Sequence, residues 1–225
     1  MKIRTINENV IQITRLRFVN AYLVREHDGF TLVDTGLGGA ADMLLAVARR
    51  NGAEIRRIAL THGHQDHAGS VDALRKRLGN EVEISMSDFD ARECAGEHAI
   101  KDKRRGSWAN LETRPDVRLT AGGRVGSLEV IPAPGHTPGH LAFIDVRDRT
   151  LFAGDTFTTY WRTEIPNRAA QPFPFAAMGT QDREQIVDSA RALRALDPSV
   201  LLVGHGPAVR DPGDAIGAAI RRAAR

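Results

Sequence analysis

The sequence predicts an α/β protein, and three observations carry that prediction. β-rich segments come first, then strand and helical patterns alternate, and the same order returns in the second half. The side chains best suited to hold a metal fall just past predicted strand ends, where loops on a rigid sheet build sites. At 225 residues the chain suits one large domain or two small halves sharing a core.

Within residues 2 to 34, Val10–Ile13, Ala21–Val24 and Phe30–Val33 are short β-rich runs. His27-Asp28-Gly29 between the last two is a hairpin signal. Asp34-Thr35-Gly36 follows a strand, so Asp34 is either a simple turn residue or a support behind a site. Residues 39 to 50 repeat Met43, Leu44 and Val47 at helical spacing and stop at Asn51-Gly52. A strand over 56 to 60 leads into Thr61–His67, and a helix over 70 to 78 stops at Gly79. Val82–Ser85 reads as a strand. Residues 87 to 120, with His98 and Trp108, show no clear period and read as a helical cap or a surface connection.

Strands resume at Arg124-Val125 and Leu128–Ile131, before a Gly- and Pro-rich turn, Pro134–His140, that holds His136 and His140. Strands 141 to 146 and 150 to 153 form a hairpin, and the second ends in Gly154-Asp155. The loop 157 to 178 carries Tyr160, Trp161, Phe173, Phe175 and Met178, too many apolar groups to leave in water, so it is expected to floor a pocket. A helix over 181 to 196, a strand over 199 to 203 ending in Gly204-His205, and a helix over 213 to 224 complete the chain.

Composition is that of an ordinary globular protein, with 42% hydrophobic and 26% charged residues. The formal charge is only +3, and Lys101–Arg105, the one basic run, reads as a solvated face. No nucleic-acid partner is expected, since phosphate contacts need clustered Lys and Arg. Cys94 is alone, which excludes an internal disulfide and suggests a small buried hydrophobe. Met1–Thr5 opens no apolar signal segment, and no stretch approaches the ~20 apolar residues of a membrane helix. A cytoplasmic protein acting on a small molecule, without a membrane, is expected.

The chemistry concentrates in Thr61-His62-Gly63-His64-Gln65-Asp66-His67. His and Asp are first-choice ligands for zinc and similar divalent ions. In an extended segment His62 and His64 point the same way and can share one ion. Asp66 and His67 follow the turn and can address a second. With His136, Asp155 and His205 there are seven candidates, too many for one tetrahedral ion. We assign His62, His64 and His136 to one metal and Asp66, His67 and His205 to another, with Asp155 between them. No cysteine joins the set, which excludes a zinc finger or ribbon.

These residues resemble the metallo-β-lactamase superfamily and its H-x-H-x-D-H motif. The likeness runs from Asp34 through His62–His67, the Pro-Gly-His-Thr-Pro-Gly-His turn and Gly154-Asp155 to Gly204-His205-Gly206, in the family's order. It implies an αβ/βα four-layer sandwich over residues 1–225, with two mixed β-sheets and outer helices. It also implies two divalent ions, zinc first with iron or manganese as alternatives, and hydrolysis by a hydroxide held between them. Asp66 would orient that hydroxide and accept its proton, and Asp34 and His140 would steady the ligands from behind. True β-lactamases of the superfamily lack an aspartate where Asp155 stands, so the likeness points to glyoxalase II-like thioesterases and lactonases. Lactonases carry a catalytic tyrosine shortly after that aspartate. Tyr160 stands near at a different offset, as that catalytic group or as a packed rim aromatic. Rival readings within the superfamily are a phosphodiesterase or nuclease and a mononuclear-iron persulfide dioxygenase.

Overall fold

Alternation along the strands divides the molecule into layers. In the computed structural model, which describes residues 1–97, 100, 103–168 and 173–224, Tyr22 and Val24 face one way and Leu23 the other. Period-two side chains therefore give each sheet two apolar faces, one for helices and one for the opposite sheet.

The first sheet holds seven strands in the order β1 (Lys2–Thr5), β2 (Val10–Arg15), β3 (Val19–Glu26), β4 (Gly29–Val33), β5 (Ile55–Ala59), β6 (Glu83–Ser87) and β7 (Val117–Leu119). Strands β1 to β4 form an antiparallel meander, while β4, β5, β6 and β7 run parallel. The crossovers carry helices α1 (Ala41–Arg50), α2 (Gln65–Ala68), α3 (Val71–Leu78) and α4 (Asp88–Cys94). Leu44, Val47, Val71, Leu74 and Cys94 pack with Leu23, Leu32, Ile58 and Ile84 on the outer face.

The second sheet is the six-stranded array β13 (Val209–Arg210), β12 (Val200–Leu202), β11 (Thr150–Phe152), β10 (Leu141–Asp145), β9 (Leu128–Pro132) and β8 (Arg124–Val125). Only β11 and β12 are parallel. Helices α6 (Gln185–Ala195) and α7 (Gly213–Ala223) cover its outer face through Ile186, Ala190, Leu193 and Ile216. Between the sheets, Tyr22, Val24, Val33 and Ala59 meet Val130, Phe143, Phe152 and Leu202. The result is helix, sheet, sheet, helix, the four-layer α/β sandwich that the resemblance implied.

Two segments differ from expectation. The stretch 87 to 120 contributes α4 and the edge strand β7, because Ser87 caps the helix by accepting from Asp90 N. The loop 157 to 178 contains a helix, α5 (Pro174–Gly179), with proline at its tolerated first turn. His98, Lys101 and Asp102 fall outside the described residues, as does part of that loop. Among the described residues no helix is long and apolar enough to cross a membrane.

Strand direction places the site. The carboxyl ends of parallel β4 and β5 share one edge with the carboxyl ends of β11 and β12. The turn from β9 to β10 comes back to that edge because β10 runs antiparallel to β11. A bond from Leu141 N to Thr61 O, 2.8 Å, ties the two sheets there.

Candidate metal centre

At that edge the structure brings all seven predicted ligand candidates together. His62, His64 and His136 form one group whose ring nitrogens lie within 4.8 Å of one another. Asp66, His67 and His205 form a second, and His62, His67 and Asp155 a third that overlaps both. All are buried except Asp66, which is partly open to the cavity.

Local backbone explains the spacing. His62 and His64 share a side because the other side of Gly63 is filled: a Cβ there would stand 2.6 Å from Cys94 Sγ. His64 stands at the N-cap position of α2, its carbonyl accepting from His67 N and Ala68 N, and the single helical turn places His67 beside Asp155 and Asp66 beside His205. Gly204 is required just before His205, since its Cβ would lie 2.2 Å from Asp155 Oδ1.

Hydrogen bonds decide which ring nitrogens are bare. His67 Nδ1 donates to Asp34 Oδ2 at 2.8 Å, leaving Nε2 to face Asp155 Oδ1 at 3.4 Å. The single Thr61 hydroxyl proton goes to Asp34 (2.9 Å), so Thr61 Oγ1 accepts from His62 Nδ1 at 3.0 Å. His136 Nδ1 donates to Thr180 Oγ1 (3.1 Å), whose own proton serves the Pro166 carbonyl. His205 Nδ1 donates to Phe18 O at 2.7 Å. Four rings thus turn Nε2 inward. His64 turns Nδ1 inward instead, 3.0 Å from His136 Nε2.

The donor set fits a divalent metal. Nε2 of His62 is buried without a hydrogen-bond partner, a costly state unless a cation takes the lone pair. Burial holds the pKa of His62 and His136 well below 6.5, as metal ligation requires of neutral imidazoles. Burial also opposes charge on His205, but Asp155 and Asp66 outweigh it and lift the ring to about 10. Burial pushes the Asp66 carboxyl up, while His67 and His205 together hold it well below the usual range.

A sequence-family model for the metallo-beta-lactamase superfamily matches residues 14–205. The chain belongs to that superfamily. YobT of Bacillus subtilis (strain 168) is 35% identical over 211 residues, spanning 91% of this chain and 90% of its own. Hydroxyacylglutathione hydrolase GloC of Haemophilus influenzae is 26% identical over 210 residues, with 89% and 91% covered. A solved structure of TTHA1623 in a di-iron-bound form is 28% identical, with a TM-score of 0.66 over 91% of this chain and 95% of that one.

Within this superfamily member the supporting residues are specific. Asp34, at a left-handed φ of 60° that aspartate tolerates, reaches His67 directly and His62 through Thr61. His140 Nε2 accepts the Asp155 N–H at 3.0 Å, which requires the neutral ring. Burial lowers the His140 pKa to about 3. A depressed folded value contributes stability above pH 6.5 that is lost as pH falls toward 3, at up to about 1.4 kcal/mol per pH unit. His140→Gln keeps an acceptor and does not titrate. Its metal-free form is expected to lose stability less steeply between pH 6.5 and 4 than the parent, as read by urea unfolding.

Tyr160 takes the place of the packed rim aromatic, the second of its two expected readings. Its hydroxyl donates to Arg17 O at 3.3 Å, its ring stacks on Phe173 at 5.0 Å, and it does not line the cavity. The offset from Asp155 turns the side chain behind the wall. Trp161, expected in the pocket floor, is 78% exposed and also absent from the lining, whereas Phe173, Phe175 and Met178 line it.

Asp90 and Trp108 were missed. Asp90 is fully buried and accepts from Gly63 N, Thr137 Oγ1 and Gly139 N at 2.9, 2.7 and 3.0 Å, tying the His62–His64 loop to the His136 turn. Burial pushes its carboxyl up to about 6, so it stays ionised at pH 7, as three donors require. Trp108 sets its ring edge-on to His64 at 5.0 Å. The cap pattern Ser87-x-x-Asp90 was the one signal that could have drawn attention to Asp90.

Proposed function

We propose that this protein is a metal-dependent hydrolase of small carbonyl substrates: esters, thioesters, lactones or amides. The observation that carries the reading is Asp155, whose carboxylate stands 3.4, 3.4 and 3.2 Å from the Nε2 atoms of His67, His136 and His205. One anion thus joins two ligand groups. His62, His64 and His136 would hold one divalent ion and Asp66, His67 and His205 the other, with Asp155 shared. Zinc suits this donor set, and iron or manganese also does, as the di-iron-bound relative illustrates. The ions supply Lewis acidity and acidify water to a pKa of ~7.

The remaining chemistry belongs to the chain. Asp66, ionised and facing the cavity, accepts a hydrogen bond from water, takes its proton at Oδ, and returns it to the leaving group. Asp34, Thr61, Thr180 and the Phe18 carbonyl keep four rings turned inward. The second group, Asp66 with His67 and His205, favours a metal pair over a mononuclear iron site.

Metal analysis joined to a panel of lactone, thioester, β-lactam and phosphodiester substrates tests the reading. Two ions per chain are expected, with acyl substrates turned over and a loss of at least roughly 100-fold in His64→Ala. Fewer than two ions, or turnover of the phosphodiester alone, would sink it.

A further inference from the structure

The cavity over the metal centre encloses about 560 Å3, within the usual range for small-molecule sites. Its walls are Phe18, Leu37, Phe173, Phe175, Ala176 and Met178. Phe173 begins the wall at the metal centre, 4.7 Å from the His205 ring, and relays it outward to Phe175 at 5.4 Å and Phe18 at 6.0 Å. Phe175 and Met178 are 68% and 61% exposed, an apolar surface that nothing in the chain covers among the described residues. The ionisable lining consists of His64, Asp66, His136, Asp155 and His205, all members of the centre itself. Among the described residues no Lys or Arg lines the cavity.

We propose that the carbonyl substrate carries an uncharged apolar arm, laid along the Phe173–Phe175–Met178 wall, and no carboxylate. The proposal rests on the hydrolase reading above. An apolar arm gains by leaving water against these side chains. A carboxylate on the same arm would be desolvated with no Lys or Arg among the described lining residues to receive it. Such a lining differs from one shaped for glutathione thioesters, whose leaving group bears two carboxylates.

The test is a series of p-nitrophenyl esters from acetyl through butyryl and hexanoyl to octanoyl, with a carboxylate-ended acyl group of octanoyl length beside them. The metal-loaded protein is expected to show kcat/KM rising about fourfold per methylene. The carboxylate-ended ester should fall at least roughly 100-fold below octanoyl. Phe175→Ser and Met178→Ser, both surface changes that the fold tolerates, should lower the octanoyl-to-acetyl ratio. Calorimetric titration with aliphatic methyl ketones of rising length, which cannot be hydrolysed, reads the same wall without turnover and should show affinity increasing with length. Turnover with a flat chain-length series, or equal use of the carboxylate-ended ester, overturns the proposal and leaves the hydrolase reading standing. If none of these esters is turned over, the ketone titration decides the wall by itself, and affinity that does not rise with ketone length overturns the proposal.

Discussion

Replacing Asp155 with alanine is expected to lower hydrolysis roughly a thousandfold and to leave fewer than two ions per chain. The carboxylate is 2% exposed and lies within 3.4 Å of three ring nitrogens drawn from β9–β10, α2 and the end of β12. It is also the strongest favourable charge on His205, and with Asp34 and Asp66 it holds His67 above its usual range. Removing one partner from a buried charge cluster costs about 3–5 kcal/mol, or two to four decades when expressed in the transition state. Elemental analysis after gel filtration gives the metal count, and circular dichroism shows whether the fold persists. An Asp155→Ala protein that retains two ions and near-normal kinetics would remove the observation on which the proposed function rests.

Much of this centre was legible because its residues sit where sequence pattern speaks most clearly. His62, His64, Asp66 and His67 fall within one turn after an apolar strand, and Asp155 and His205 each follow a glycine at a strand end. Direction of strands then does the assembly: parallel pairs β4–β5 and β11–β12 expose their carboxyl ends at a common edge. What was not legible depends on contacts far apart along the chain. Asp90 reaches Thr137 across 47 positions, and Trp108 meets His64 through a connection without periodicity. Tyr160 illustrates a different limit. Proximity to Asp155 in sequence did not reveal that its hydroxyl would turn toward the hairpin at Arg17. The rings behind the wall are ordered by the β2–β3 hairpin and α5 together, and neither segment announces the other.

Asp34 is the most consequential residue that would touch neither ion. Its carboxylate accepts from Thr61 N at 2.8 Å, holds His67 Nδ1, and through the Thr61 hydroxyl holds His62 Nδ1. In our reading those two rings serve different ions, so one side chain orients both halves of the centre. Partners of this kind are worth about 10- to 100-fold in metal affinity, and loss of both at once is expected to reach the upper end. Asparagine is the cleaner substitution. It accepts the left-handed φ of 60° as aspartate does, but its amide group presents a donor where Asp34 accepts. Alanine at that φ adds backbone strain of roughly 1–2 kcal/mol. Asp34→Asn should therefore weaken metal retention roughly 100-fold in a chelator competition while the metal-free protein stays folded. Asp34→Ala should show the same weakening and a lower urea midpoint. If Asp34→Asn retained both ions at parental affinity, the rings would have to be held by their packing alone, and the hydrogen bonds through Thr61 would carry no positioning role.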